Sequence, residues 1–314
     1  MKFVDFEAEI WKQECNSTLV ENNLNDMYEH IRRCARVCYQ ANDCEINRYN
    51  AFEWLKNNII SDLKPLIAQH TSVLAHGAIY LTFPYKEERK LYNFYSKLSA
   101  QYCDTKVING ICYVSTNYRV IYENHRLDDL KYFTTPTEHH EPIITISMIS
   151  NIGVNREFNR HTYNWPSEES TRCCNYNKEK YDKQINVALP VWFQGDEIEI
   201  QALRDSETLL FMYTDMLKDN EIRRTMTAID YYLLSLCCAD FCYNNLIRLG
   251  WKPQQAREVL PLGTKSQLVH TTFLKHWKRF LDIRFRGVAG TPHPNARYLS
   301  EKIIKALNDY GYKL

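Results

Sequence analysis

Arg-Glu-Phe-Asn-Arg-His-Thr-Tyr-Asn-Trp-Pro-Ser-Glu-Glu-Ser-Thr-Arg-Cys-Cys-Asn-Tyr, residues 156–176, gathers four cation-capable side chains, three carboxylates and several hydroxyls in a stretch that no core-building pattern explains. Arg160, His161, Ser170 and Arg172 offer the donors that a flat, anionic ligand such as a nucleotide needs, because Arg forks grip phosphate bidentately where Lys cannot. The plain alternative is a solvated loop, since charge clusters usually lie at the surface.

Working outward, Val154–Arg160 reads as a short helix that delivers the charged stretch, and the β-branched run Ile143–Ile149 before it reads as a strand. Further upstream, apolar residues at Leu24, Met27, Ile31, Cys34 and Cys38 predict a helix over 21–40, and Phe52, Leu55, Ile59 and Leu63 predict a second, with Pro65 as a kink or restart. Gly77–Phe83 reads as a buried strand. Lys86–Tyr102 reads as a helix with Leu91, Phe94, Leu98 and Tyr102 on one face. Asn109-Gly110 between Val107 and Cys112 is a strong hairpin signal, with arms expected to reach Tyr122. Downstream, Ser206 is expected to cap a helix, Thr227–Leu249 to form a longer one closed by Gly250, and Phe273–Arg284 and Asn295–Asn308 to be helical. Absence of repeats favours an α+β fold, a helix-rich single domain spanning 1–314 around an antiparallel sheet with an inserted hairpin region.

With 39 basic and 38 acidic residues the net charge is +1, so no global field favours nucleic acid or an anionic membrane, and any anion site must be local. No run of 18 apolar residues occurs and the opening Met-Lys-Phe-Val-Asp-Phe-Glu lacks a signal-peptide pattern, so a cytoplasmic protein is expected. The eleven cysteines read as reduced thiols. Cys34, Cys38 and Cys44 lack a Cys-x-x-Cys companion, and no metal is expected. Glu168 and Glu169, adjacent in sequence, do not face one another on a helix and make a poor acid-base pair.

The C-terminal half adds Arg257 before Leu260-Pro261, then Lys275, Arg279 and Arg284 on one helix, of which Lys275 and Arg279 share a face. That face could be merely solvated, but Phe273, Trp277, Phe280 and Ile283 would bury the rest of the helix and aim the bases at a cleft. His70 and His76 bracket a short segment just before a strand, where a ligand edge is as natural a reading as a structural one.

Together these motifs resemble the flavin-dependent thymidylate synthase family, also called thymidylate synthase complementing protein, whose signature is Arg-His-Arg followed after seven residues by Ser-x-Arg. Arg160-His161-Thr162 and Ser170-Thr171-Arg172 keep that spacing, and Arg156-Glu157-Phe158 with Cys174-Asn175-Tyr176 look most like the phage-encoded branch, whose members would work in the host cytoplasm. His70–His76 is similar to the family's flavin segment, Ala256-Arg257 with Leu260-Pro261 to a second element, Ala35-Arg36-Val37 to part of the first long helix, and His293-Pro294-Asn295 with Arg297 to the closing helix. Residues 84–140 stand as an insertion relative to shorter members.

The resemblance implies FAD held by His70, Ser72, His76, Arg160, His161, Lys275 and Arg279. It implies deoxyuridine monophosphate (dUMP) held by Glu157, Glu169, Ser170, Thr171, Arg172, Arg257 and Arg284, with Ser170 polarising the substrate and Arg172 stabilising charge on the pyrimidine. It further implies methylation of dUMP to dTMP with methylenetetrahydrofolate as carbon donor, a hydride from flavin reduced by NADPH, and a homotetramer whose sites draw on several subunits. A related pyrimidine-modifying enzyme such as a hydroxymethylase, and a non-catalytic nucleotide-binding homologue, are the alternatives. The family pattern is altered at Thr162 (usually Arg), Trp165 (a small hydroxyl residue), Cys173 (Tyr), Ala75 (Glu), Phe273 (Asn) and Lys275 (Arg). Most of these changes fall on the flavin side.

Overall fold

The computed structural model describes residues 1–40, 50–61, 64–193 and 206–313. From the N-terminus run β1 (Lys2–Val4), β2 (Glu7–Trp11), α1 (Val20–Arg36), α2 (Ala51–Asn58), β3 (Ala78–Pro84), α3 (Arg89–Tyr95), β4 (Asp104–Ile108), β5 (Ile111–Asn117) and α4 (Tyr118–Glu123). The motif-bearing part is β6 (Ile143–Asn151), α5 (Ile152–Phe158), β7 (Trp165–Glu168) and β8 (Asn186–Ala188). Then come α6 (Ser206–Lys218), α7 (Asn220–Thr225), α8 (Ala228–Arg248), α9 (Pro253–Ala256), β9 (Lys265–Phe273), α10 (Leu274–Arg284) and α11 (Pro294–Asp309).

The fold is α+β, with helices packed around antiparallel sheets. A four-stranded sheet in the order β2-β6-β9-β7 carries the motifs, a three-stranded sheet in the order β3-β5-β4 stands beside it, and β1 and β8 form a parallel ribbon. Alternation along β6 and β9 splits the central sheet into two unlike faces. Ile144, Ile146, Met148 and Leu268 turn to α10 and α11, where Trp277, Phe280, Leu281, Leu299 and Ile303 complete a buried core. Thr145 and Ser147 on β6 and Gln267 and Thr271 on β9 form a hydrogen-bonding face, which meets His30 of α1.

Several predicted elements are shorter than the periodicity suggests. The helix expected over 86–102 stops at Tyr95, and the chain then turns, with Tyr102 and Cys103 N–H groups donating to Ser99 O and the Ser99 hydroxyl accepting from Gln101 N. A serine competing locally for backbone partners breaks the helix there. The hairpin forms as expected on Asn109 (φ 51°) and Gly110 (φ 78°), the left-handed pair of a tight hairpin turn, but its second arm ends at Asn117. Asn117 Oδ1 accepts from Val120 N and starts α4, so residues 118–122 are helical rather than extended. The second helix ends at Asn58. Its expected end, Leu63, lies outside the described residues, as do Cys44 and the side chain of Ser206. Gly250 closes α8 at φ 96° as expected.

The stretch read as an insertion belongs to the body of the molecule. Leu91, Tyr95, Cys103, Cys112, Val114, Tyr118, Val120, Ile121 and Phe133 share one core with Met27, Ile31, Leu55, Ile79 and Leu81. Phe280 illustrates what holds the other core, being fully buried between the edges of Phe158 (ring centroids 4.7 Å) and Trp277 (5.3 Å). Phe280→Ala is expected to lower stability by about 3–5 kcal/mol, read as a shifted urea midpoint at constant slope; a shift of less than about 1 kcal/mol would deny this ring its central place.

Candidate functional site

Two groups of predicted site residues separate in space. The first gathers at a cleft of about 530 Å³ lined by Ile152, Arg156, Glu168, Glu169, Ser170, Thr171, Arg257, Glu258, Leu260 and Leu262. Its walls are the start of α5, the loop after β7, and the turn between α9 and β9. Volume, apolar wall and convergent polar groups suit a small organic anion.

The floor is rigid because its charges are already paired. Glu169 is buried; its Oε2 accepts from Lys265 Nζ (2.8 Å) and Gln267 N (3.1 Å), and its own N–H donates to Gln267 O (2.8 Å). Ser170 N donates to Cys38 O (3.0 Å), while Ser170 O accepts from the N–H groups of Cys173 and Cys174. Glu168 is held through both oxygens by Asn155 Nδ2 (2.9 Å) and Asn159 Nδ2 (2.8 Å). Asn164 Nδ2 donates to His270 Nδ1 (3.0 Å), which leaves Nε2–H to donate to Asn159 Oδ1 (3.1 Å). Burial holds His270 neutral, with a pKa lowered to about 3. Cation charge at the cleft is left to Arg156 and Arg257. Arg257 is exposed and only loosely paired to Glu258 at 3.7 Å. Among the described residues the Arg156 side chain makes no hydrogen bond or ion pair.

Of the substrate set, Glu169, Ser170, Thr171 and Arg257 meet here, although Glu169 serves the floor rather than an open face. Arg172 is exposed two residues beyond Ser170 and lies outside this lining. Glu157 and Arg284 pair with each other. Arg284 spends Nε on His161 Nε2 (2.9 Å), NH1 on Glu157 Oε2 (2.9 Å) and NH2 on Glu157 O (2.6 Å), so its fork joins α10 to α5 instead of opening to a ligand. His161 must be neutral to accept, and burial with the nearby Arg284 and Arg279 charges lowers its pKa to about 4.

The flavin set does not converge in the same way. His70, Ser72 and Arg160 are exposed, and Arg279 is exposed with its guanidinium 5.1 Å from the Tyr163 ring centre. Lys275 Nζ pairs with Asp104 at 2.5 Å. His76 is buried, with Nδ1 2.7 Å from Thr271 Oγ1 and Nε2 2.9 Å from Ser167 Oγ, and its pKa is lowered to about 3 by burial. Both of its ring nitrogens are thus engaged within the protein. Arg156, Lys265, Asn155, Asn159 and His270 escaped the sequence reading as site residues. Arg156 carried a signal, four residues before Arg160 on one helix; Lys265 opens β9, which no periodicity announced.

The family model for thymidylate synthase complementing protein matches residues 110–309, starting inside the stretch read as an insertion. The match covers well over half of the chain, which belongs to that family. No curated protein matches it. Among solved structures it is similar to the UMP/dUMP methylase PolB from Streptomyces cacaoi bound with 5-Br dUMP (20% identity, 53% of this chain and 67% of that one, TM-score 0.35). The same methylase bound with 5-Br UMP aligns over 100% of this chain and 98% of the other at 12% identity and TM-score 0.39. The flavin-dependent thymidylate synthase ThyX from Helicobacter pylori, complexed with FAD and dUMP, aligns at 15% identity over 54% and 70%, with TM-score 0.33. Among the described residues no helix is long and apolar enough to cross a membrane, and no group of His, Cys, Asp or Glu could hold a metal ion.

His30, His76, His161, His270 and His276 all have pKa values lowered chiefly by burial, to about 3 or 4. The unfolded chain therefore binds more protons below pH 6.5, and the stability these neutral rings contribute is fully present above pH 6.5 and is lost as pH falls toward 4. Denaturant midpoints measured at pH 7, 6 and 5 should fall in that order; a flat series would mean the rings are not buried neutral.

Proposed function

We propose that the chain binds a pyrimidine nucleoside monophosphate, dUMP first, in the cleft between α5 and the α9–β9 turn, and adds a one-carbon unit to its base. The observation that carries this is the cleft itself: Arg156 and Arg257 are available to an anion, beside the Ser170 and Thr171 hydroxyls and the apolar Ile152, Leu260 and Leu262, over a floor where Lys265 offsets Glu169 and the Asn155 and Asn159 amides hold Glu168. In this reading the two Arg side chains hold the phosphate by charge-assisted bonds and Ser170 and Thr171 donate to it or to the sugar. Arg172, exposed next to Ser170, stabilises negative charge that develops on the pyrimidine carbonyls as C5 is activated. Lys265 acts by holding Glu169, hence the backbone of Ser170, in place.

Methylation of dUMP to dTMP is the reaction that family membership favours, with methylenetetrahydrofolate as carbon donor and NADPH-reduced flavin as hydride donor. The chain's residues fit the nucleotide better than the flavin. His70, Ser72, Arg160 and Arg279 remain exposed, but His76 and Lys275 are engaged internally, and positions 75, 165 and 273, where the family has polar groups, carry Ala, Trp and Phe packed together. That packing favours a second reading, hydroxymethylation, in which water instead of hydride completes the transfer and no reductant is consumed. A homotetramer belongs to the same proposal and is supported by Phe211, Met212 and Tyr231, large side chains exposed on α6 and α8 that a second copy could cover.

Arg156→Ala and Arg257→Ala should each weaken dUMP binding on the order of 10- to 100-fold in calorimetry, the equivalent of roughly 1.5–3 kcal/mol for a lost charge-assisted bond, with circular dichroism unchanged. Two unaltered affinities would remove the nucleotide from this cleft. Mass spectrometry of dUMP incubated with methylenetetrahydrofolate, with and without FAD and NADPH, then separates a methyl from a hydroxymethyl product, and absence of either would leave binding alone.

A further inference from the structure

Five of the six departures from the family pattern meet in one place. Ala75, Trp165 and Phe273, distant in sequence, form a single buried cluster at 1%, 4% and 0% exposure, with Trp165 edge-on to Phe273 at 5.7 Å between centroids. The β7–β9 register puts Trp165 opposite Thr271, so its ring falls on the same face of the sheet as Phe273 two residues on. Thr162 and Lys275 lie at the border of this cluster, and a neighbour from the 84–140 stretch engages each of them. Gln101 Nε2 donates to Thr162 O, and Asp104 pairs with Lys275 Nζ at 2.5 Å. Between them Tyr102 packs on the cluster, its carbonyl held by Thr116 Oγ1 at 2.9 Å. Glu141 Oε1 accepts from Lys275 N at 3.0 Å and ties the start of α10 to the same edge.

We propose that residues 101–104 are a built-in roof, and that with Ala75, Trp165 and Phe273 they fill from within the chain the place the flavin motif would give to a flavin ring. The altered positions and the added segment are one device: polar groups facing a cofactor are exchanged for an apolar plug, and the plug is covered by a turn that a shorter chain would lack. Because plug and roof come from one chain, assembly with further copies does not clear the place. The nucleotide cleft lies on the other side of β7 and is left open. The inference goes beyond the proposed reaction: a filled flavin place favours the hydroxymethyl product, and its test reads flavin binding rather than product.

The test uses the full-length wild-type protein. FAD is titrated in with and without dUMP, following flavin fluorescence and co-elution, and hydrogen exchange of segments 99–105 and 160–167 is compared with and without FAD. A colourless protein that takes up no flavin supports the proposal, as does flavin bound without any change of exchange in those two segments, which would seat it elsewhere. Stoichiometric flavin that slows exchange in both segments, or that co-purifies and is lost on Trp165→Phe, overturns it. Failure of dUMP to bind in the same samples counts against the proposed substrate and leaves this inference standing, so the two are separable.

Discussion

A continuous run of buried hydrogen bonds holds the motif-bearing half of the molecule to the rest. His30 on α1 lies 2.9 Å from Thr145 on β6, Thr145 is 2.7 Å from Thr271 on β9, Thr271 is 2.7 Å from His76, and His76 is 2.9 Å from Ser167 on β7. Each member is buried, and a buried polar group without a partner costs about 1–3 kcal/mol. The run is satisfied only if five separate segments keep one register, Thr145 opposite Thr271 included. Burial keeps both histidines neutral, and a neutral ring presents one donating and one accepting nitrogen. Slip any one strand and several donors lose partners together. Its cooperative cost is what makes the position of β7, and so of the loop that follows it, unambiguous.

From β7 the order passes to the cleft. Glu169, one residue past the strand, is anchored by Lys265 and by the Gln267 backbone at the opposite edge of β9, and Ser170 is pinned to Cys38 O at the end of the first long helix. Charged residues here divide into those that build and those left over. Glu157, Arg284, Glu169 and Lys265 neutralise one another in partly or fully buried pairs, where removing one partner would strand the other. Arg156 and Arg257 are the cations that line the open cleft, beside Glu168, Glu169 and Glu258.

The cleft beside α5 and the far side of β7 differ in character. There the apolar cluster of Ala75, Trp165 and Phe273 stands beside His76, in the turn before β3, and Thr271 on β9. The segment around Tyr102 is welded to the second core through Cys103 and Tyr95, so the roof is as well supported as any other element. A fold can keep one ligand site while its neighbour is rebuilt, because the two sites are separated by a strand whose backbone pairing is indifferent to which side chains it displays.

Patterns that depend on neighbours in sequence were readable directly. The stripe of Leu24, Met27 and Ile31, the Asn109-Gly110 turn, the Gly250 cap and the spacing of Arg160, Ser170 and Arg172 are local, and they indicated the helices, the hairpin and the family. What escaped was β9, a central strand, because Lys265–Phe273 runs Lys-Ser-Gln-Leu-Val-His-Thr-Thr-Phe with no polar–apolar alternation, while both faces are buried, one against Trp277 and one against α1. Periodicity cannot announce a strand whose polar side is inside. Likewise Arg284 and His76 carried the residue types of a ligand site, and only the structure shows them bonded to Glu157, His161, Thr271 and Ser167. Sequence by itself determined most of the helices, the hairpin turn and which family the chain joins, since helix, turn and motif signals are set by residues a few positions apart. Tertiary structure alone decided which charges remain free and which polar groups are spent, because that depends on partners more than a hundred residues away brought within 3 Å by the sheet.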